Sequence, residues 1–398
     1  MASLAPNWQV MGLMPRCTGR VTATHSTPSR PWVSDSRKPL SHMSEHRQRG
    51  GARLPCPAKA LPKNLSYDNG RGNVQLRVTL MAVVPLYSLA IGLASSVPGL
   101  RHLTGRKTGG TDSARYCYSV WLRHLWMTHT HGLRTEFDTM VELGPGDSVG
   151  VGLAALLSGT ERYIGIDTFP YPKTTLNLRV LEELIVLFRS HANVPDQTEF
   201  PRLMPPLAAY AFPDHILTPK RLARSLSPAR IDAIRSALKD PAKRADQRER
   251  IAYLAPWRPD MIPLRSVDLV LSQGVMQFVD DLPAAYRGMA AWLTPNGVMS
   301  HEIAYQSIGI TREWNGHWIC PELLWRVAAG QRRHVTNRQP HSEHLRLIAE
   351  SGCQIATNVA VKRESRIRRA DLTPRFRHLS DQDLVTGSAL IQATRLEP

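Results

Sequence analysis

Beyond Thr111, short apolar runs with a two-residue period alternate with longer stretches of helical period, the pattern of a mostly parallel α/β sheet. Residues 139–143 predict a first strand, ending in Gly-Pro-Gly, and 149–157 the helix after it. The second strand and helix fall at 162–166 and 174–189. Further strands are predicted at 251–254 and 267–271, then a helix at 282–292 and a fifth strand at 298–303. Asn296-Gly297 supplies the turn before that strand, because both residues tolerate positive φ. Segments 355–361 and 389–394 predict a closing antiparallel pair, giving a sheet with helices on both faces and an antiparallel strand at its C-terminal end. A helical insertion at about 190–250 separates the second and third strands, Pro-rich first and then helical and charged. A connection of that length, on the edge where open α/β sheets bind ligands, predicts a substrate cover.

Two segments precede this domain of 111–398. Residues 1–75 are rich in Ser, Pro, Arg and Gly and show neither period, the composition of a disordered basic extension. A transit peptide, or translation starting at Met43 or Met81, is the alternative. Residues 76–110 form a hydrophobic segment and linker. Positions 78–100 lack any charge over 23 residues, a length that spans a bilayer, but Pro85, Gly92, Pro98 and Gly99 dilute the hydropathy. Membrane association through 78–100, as an anchor or a surface helix, and a helix docked on the protein all fit.

With 398 residues and 42% hydrophobic positions the chain belongs to the ordinary globular class, neither wholly disordered nor fibrous. The net charge of +17 changes that picture little, because 15 Lys/Arg against three acids in residues 1–110 supply +12 of it. The folded part is only mildly basic, which argues against a nucleic-acid partner. Cys17, Cys56, Cys117, Cys320 and Cys353 lie far apart with no CxxC pair, the usage of a reducing, cytoplasmic compartment and not of a zinc-thiolate site.

Candidate chemistry concentrates after the first two strands. Glu142-Leu143-Gly144-Pro145-Gly146-Asp147-Ser148 puts two glycines between a strand and a helix, where backbone approaches a ligand closely. Asp167 closes the next strand about 20 residues further on, where an acid accepts hydrogen bonds from both hydroxyls of a ribose. A dinucleotide fingerprint would place a small residue at Val149, so NAD fits poorly.

On these residues the chain resembles a class I S-adenosylmethionine-dependent methyltransferase, which implies a Rossmann-like sheet. Ser266-Val267-Asp268-Leu269-Val270-Leu271-Ser272-Gln273 is similar to that family's fourth motif, and Leu293-Thr294-Pro295-Asn296-Gly297 to its Leu-x-Pro-Gly-Gly turn. Pro256-Trp257 and Trp314-Asn315-Gly316-His317-Trp318 further resemble a poorly characterised bacterial-type group within it. The resemblance covers about 115–395, with Ser148 and Asn296 standing where many members have glycine. It implies S-adenosyl-L-methionine as cofactor, passed by Gly144, Gly146, Asp147 and Ser148, supported by Glu142 and held at the ribose by Asp167. Trp257 or Asp260 would face the adenine, and Ser272 and Gln273 the transferred methyl. The acceptor is expected to be a small molecule or glycan methylated at oxygen, since no Asn-Pro-Pro-Tyr segment of nucleic-acid amine methyltransferases occurs at 272–275. Imidazole is the commonest general base near neutral pH, so His301 with Glu302, and His317, are the catalytic candidates.

Other clusters predict less. His124, His129 and His131 lack an accompanying carboxylate or thiol, so no metal is expected. His341 and His344 fall on a polar helix and are expected to be solvated, like the run Arg363, Arg366, Arg368 and Arg369. Two rivals remain at this stage: a nicotinamide-dependent sugar oxidoreductase, and a non-catalytic cofactor-binding or RNA-associated protein.

Overall fold

The alternating pattern builds one seven-stranded sheet. The computed structural model describes residues 83–97, 109–242, 245, 249–332 and 334–396. Its strands are β1 (Thr139–Leu143), β2 (Arg162–Ile166), β3 (Ile251–Leu254), β4 (Val267–Gln273), β5 (Leu293–Ala304), β6 (Cys353–Lys362) and β7 (Thr386–Arg395). They lie in the order β3-β2-β1-β4-β5-β7-β6. β1 to β5 pair in parallel, and β7 enters antiparallel between β5 and β6. Strand order reverses direction between β1 and β4, so the carboxyl ends there frame the crevice where such sheets bind ligands. The basic extension expected at 1–75 lies outside the described residues, as do 78–82 and 98–100 of the uncharged segment.

Both faces are covered, which is why the strands are apolar on both sides. On one face α2 (Ala114–Thr130), α3 (Gly150–Leu157) and α4 (Thr174–Arg189) pack Trp121, Leu125, Leu153 and Phe188 against Met140, Tyr163, Leu271 and Val298. On the other, α7 (Leu282–Trp292) and α9 (His341–Glu350) pack Tyr286, Met289 and Ile348 against Val141, Val270, Met299 and Ile391. At the amino edge the buried Asp268 carboxylate ties strands together, accepting from the amides of Asp138 and Thr139 (3.0 and 2.9 Å), from Arg134 (3.1 Å) and from the Thr294 hydroxyl (3.0 Å). Asn296 takes the expected left-handed backbone, φ 61°, in the turn within β5.

The helices of the insertion do not cover the ligand edge, although Glu199 and Phe200 ahead of them meet Arg115 (2.6 Å) and the Tyr116 ring (5.5 Å) at the amino end of α2. These helices, α5 (Pro219–Ser225) and α6 (Pro228–Lys239), carry Leu222, Ile231, Ile234 and Leu238, all buried in the α2–α4 core. Arg221 donates to the carbonyls of Ser158 and Thr135 (2.6 and 2.8 Å), and Arg230 pairs with Glu161 (2.7 Å), so these helices are fixed at the amino edge, before β1 and β2. Ahead of them the chain lies along α2, where Arg123 donates to the carbonyls of Pro195 and Pro205 (2.8 Å each). The elaboration at the carboxyl edge comes instead from 305–338 and 363–385, which follow β5 and link β6 to β7. It has its own small core of Trp318, Ile367, Leu372, Phe376 and Leu384.

Of the alternatives for 78–100 the docked helix is the one seen among the described residues, and the expectation for His341 and His344 changes. Within 78–100 the helix α1 (Leu86–Ser95) has only ten residues, and no described helix is long and apolar enough to cross a membrane. Ser88, Gly92 and Ser95 face inward, and Gly92 lies so close to α8 (Glu322–Ala329) that a Cβ would sit 2.1 Å from the Val327 carbonyl oxygen. His341 and His344 are buried: His344 Nδ1 meets the Tyr286 hydroxyl (2.8 Å), and His341 Nε2 meets Asn358 Oδ1 (2.8 Å).

Gly152 sets the distance between α3 and β2, since a Cβ there would fall 2.1 to 2.4 Å from the Tyr163 ring. Gly152→Ala is therefore expected to destabilise the fold by about 1–3 kcal/mol through overpacking. Thermal and urea melts of the variant check this; a melt equal to wild type would show that Tyr163 moves aside freely.

Candidate active site

The turn after β1 is built from strained backbone that glycine relieves. Gly144 and Gly146 have φ of 67° and 76°, and the Gly144 amide donates to the Ile166 carbonyl (2.9 Å), bringing the turn beside the end of β2. Thr111, ahead of α2, closes the other side: its hydroxyl accepts from the Asp147 amide (3.0 Å) and its carbonyl accepts from the Ser148 hydroxyl. Glu142 is buried beneath the loop. Its carboxyl accepts from the Tyr163 hydroxyl (2.7 Å) and faces the Gly152 amide at the start of α3, while burial pushes its pKa up to about 8.

Asp167 stands next to this turn, 1% exposed. Its Oδ1 accepts from the amides of Thr168 (2.7 Å) and Phe169 (3.4 Å), and the Gly146 amide also favours its charged form. Oδ2 is buried with no hydrogen-bond partner. Burial raises this carboxyl to about 6. A buried carboxylate oxygen left unpaired beside a glycine turn costs free energy that two ligand hydroxyls would offset, so the donor set fits a ribose.

At the ends of β4 and β5 the same face carries a polar chain. His124 of α2 meets Ser300 Oγ (2.7 Å) and Gln273 Oε1 (3.0 Å), and Gln273 Nε2 donates to Glu302 (3.1 Å). Burial holds the Glu302 carboxyl up near pH 8 and His124 down near 4. Neither His124 nor Thr111 stood out as a cofactor or catalytic residue in the sequence, because both reach the site from the helical layer across long separations. The Gly150 and Gly152 spacing was the readable signal for close packing of α3.

The remaining candidates disperse. Ser272 points to the opposite face, where its hydroxyl meets His301 Nδ1 (2.8 Å). His301 lies fully buried beside Tyr286 of α7, with burial depressing its pKa to about 3. His317 is enclosed by Trp318 and Trp325 and is depressed to about 3 by burial and the Arg338 charge. Trp257 sits in the second core, edge-on to Trp292 at 5.6 Å, its amide donating to the Asp167 carbonyl (3.3 Å). Asp260 is on the surface, paired with Arg258 (3.1 Å).

A sheet of this strand order, with a glycine turn after β1 and a buried acid after β2, has the Rossmann-like fold of class I methyltransferases. The chain matches no protein-family model and no curated protein. Among solved structures it is similar to an S-adenosylmethionine dependent methyltransferase from Mesorhizobium loti, 15% identical over 65% of this chain and 91% of that one, with a TM-score of 0.31. It is also similar to the geranyl diphosphate C-methyltransferase of Streptomyces coelicolor A3(2), solved with S-adenosyl-L-homocysteine, at 12% identity over 69% and 79% and a TM-score of 0.35. Similarity to the phosphoethanolamine N-methyltransferase 2 of Haemonchus contortus is 13% over 70% of this chain and 53% of that one, with a TM-score of 0.35.

The buried titratable groups set a pH dependence. His124, His301, His317 and His344 have depressed pKa values, so they contribute stability above the unfolded value of 6.5 that is lost as pH falls. Glu142 and Glu302 are raised from 4.5 to about 8, so their contribution is lost as pH rises through that range. The melting temperature is expected to peak between about pH 6 and 7 and to fall on both sides. Glu302→Gln removes one ionisation and should flatten the fall between about pH 6.5 and 8; calorimetric melts across that range that match wild type would refute the buried-carboxyl account.

Proposed function

We propose that this chain transfers the methyl group of S-adenosylmethionine to a small-molecule acceptor. The observation that carries the reading is the unpartnered Asp167 Oδ2 beside the Gly144-Pro145-Gly146 turn. Asp167 holds the ribose hydroxyls, the turn and Asp147 line the methionine part, and Glu142 acts indirectly by bracing the turn against Tyr163 and α3. When bound, the cofactor supplies an electrophilic methyl on a sulfonium. The protein's share is alignment, worth roughly 7–11 kcal/mol of the barrier without a covalent intermediate.

The acceptor atom is an oxygen, of a glycan or another hydroxylated small molecule, and it must shed a proton as the carbon–oxygen bond forms. Of His301, His317 and Glu302, we assign the proton to Glu302. Its carboxyl belongs to the polar chain with Gln273 and His124 at the strand ends, whereas both imidazoles are enclosed in packed layers. A raised carboxyl pKa suits proton exchange near neutrality, and a nearby sulfonium would favour its ionised form.

Two outcomes test this reading. Titration calorimetry with S-adenosylhomocysteine should show binding, and Asp167→Ala should weaken it by about 1.5–3 kcal/mol, tenfold to over a hundredfold. Unchanged affinity in a folded variant, or binding of NAD instead, would overturn the cofactor assignment. Once a screen provides an acceptor, Glu302→Gln should slow turnover by about a hundred- to ten-thousandfold while S-adenosylhomocysteine affinity stays close to wild type. Near-normal turnover would remove Glu302 from the chemistry.

A further inference from the structure

The elaboration at the carboxyl edge contains a hollow of about 490 Å³ that includes neither the glycine turn nor Asp167. Its walls come from α8, from 335–338 and from Arg375, and Arg338, Glu322 and Arg375 also line an adjoining hollow of about 330 Å³. Asn337 fixes this wall to the turn after β4: its side-chain amide donates to the carbonyls of Met276 and Val279 (2.9 Å each), and its backbone amide to that of Gln277 (2.7 Å). The hollow therefore stands only a few residues beyond Gln273.

Arg338 is 4% exposed and has a positive φ of 65°, a strained backbone for a residue with a Cβ. The motif Trp314-Asn315-Gly316-His317-Trp318 holds it. Trp318 Nε1 donates to the Arg338 carbonyl (3.0 Å), and the guanidinium donates to the carbonyls of His317 and Cys320. The Trp325 and Phe376 rings lie 5.0 and 4.7 Å from the guanidinium carbon. Nε is buried with no partner. Charge is also incompletely matched. Arg338, Arg326 and Arg375 all bond to the single carboxylate of Glu322 (2.9, 3.2 and 3.3 Å), and the only other acid lining the larger hollow is Asp280. A structural ion pair needs one guanidinium for that glutamate; three, one of them buried and imperfectly satisfied, leave an excess of directed donors.

We propose that this cluster is an acceptor-recognition site for an oxyanion, a phosphate or carboxylate carried by the small molecule to be methylated. It rests on the methyltransferase reading for the word acceptor only; the anion site stands on the arginines. The planar forks of the exposed Arg326 and the half-exposed Arg375 match the paired oxygens of either group. Arg338, its terminal nitrogens bonded to Glu322 and two carbonyls and its face held by Trp325 and Phe376, adds a fixed charge and an unpaired Nε–H. Asn337 ties this wall to the turn after β4, the strand that ends at Gln273.

The test uses the full chain with inorganic phosphate and with succinate, each compared with sodium chloride at equal ionic strength, read by calorimetry and thermal shift. Saturable binding is expected, weakened about tenfold or more in Arg375→Gln, whose side chain is half-exposed, and in Arg338→Lys, which keeps charge but loses the unpaired Nε–H. Arg346→Gln, on a helix surface among Glu343 and Glu350, should leave it unchanged. Preference for phosphate identifies a phosphorylated acceptor, and preference for succinate a carboxylated one. No binding above chloride, or equal loss in Arg346→Gln, overturns the proposal. S-adenosylhomocysteine affinity should survive Arg375→Gln, and phosphate affinity should survive Asp167→Ala, so either reading can fail without the other.

Discussion

The Glu142 carboxyl, clamped between the Tyr163 hydroxyl and the amino end of α3, is the contact on which the cofactor turn depends. It joins the strand before the turn, the neighbouring strand and the helix after it. Ionising a carboxyl in that layer is unfavourable, yet the geometry exists only if its oxygens have donors, so Gly152 must admit both the ring and the helix terminus. With those fixed, the Gly144 amide meets Ile166, and Asp167 follows one residue later with an oxygen free for a ligand.

Legibility in the sequence followed the range of the interactions. β1 through β4 and their helices depend on local period and on turn glycines, and their predicted bounds match closely. The closing antiparallel pair of β6 and β7 was legible too, whereas the wedging of β7 between β5 and β6 is something no local period encodes. In the candidate site, Glu142, Gly144, Gly146 and Asp167 were readable because they lie on one βαβ unit. His124 and Thr111 come from the layer above, Trp257 meets Asp167 through its backbone while its ring enters the second core, and His301 lies buried on the opposite face from Glu302.

The insertion and the carboxyl-edge elaboration show why length and position alone misplace a cover. Residues 190–250 carry regularly spaced leucines and isoleucines, so burial draws their helices onto the α2–α4 layer, and Arg221, buried, and Arg230, half-buried, fasten them to the amino edge. Residues 305–338 and 363–385 carry fewer Pro and Ala and more Trp and Arg. Tyr305 still enters the main core, but most of the buried side chains of these segments form small cores of their own where the strands end.

The small core around Trp318 gives the Trp-Asn-Gly-His-Trp motif a role the sequence alone did not suggest. Trp314 and Asn315 bond to Glu364, Ser365 and Leu384, stitching the two elaborating segments together, while Trp318 and the His317 carbonyl secure Arg338. Asn337, next to Arg338, is bonded in turn to the turn after β4, so the arginine and the end of β4 are one mechanical unit. Gln273 at that strand end bonds to Glu302 and His124, and β4 pairs with β1, which carries the glycine turn. Ligand groups at the turn, at Glu302 and at Arg338 would therefore be spaced by hydrogen-bonded backbone and not by flexible loops. An in-line methyl transfer requires that rigidity, since its barrier depends on alignment more than on any single side chain.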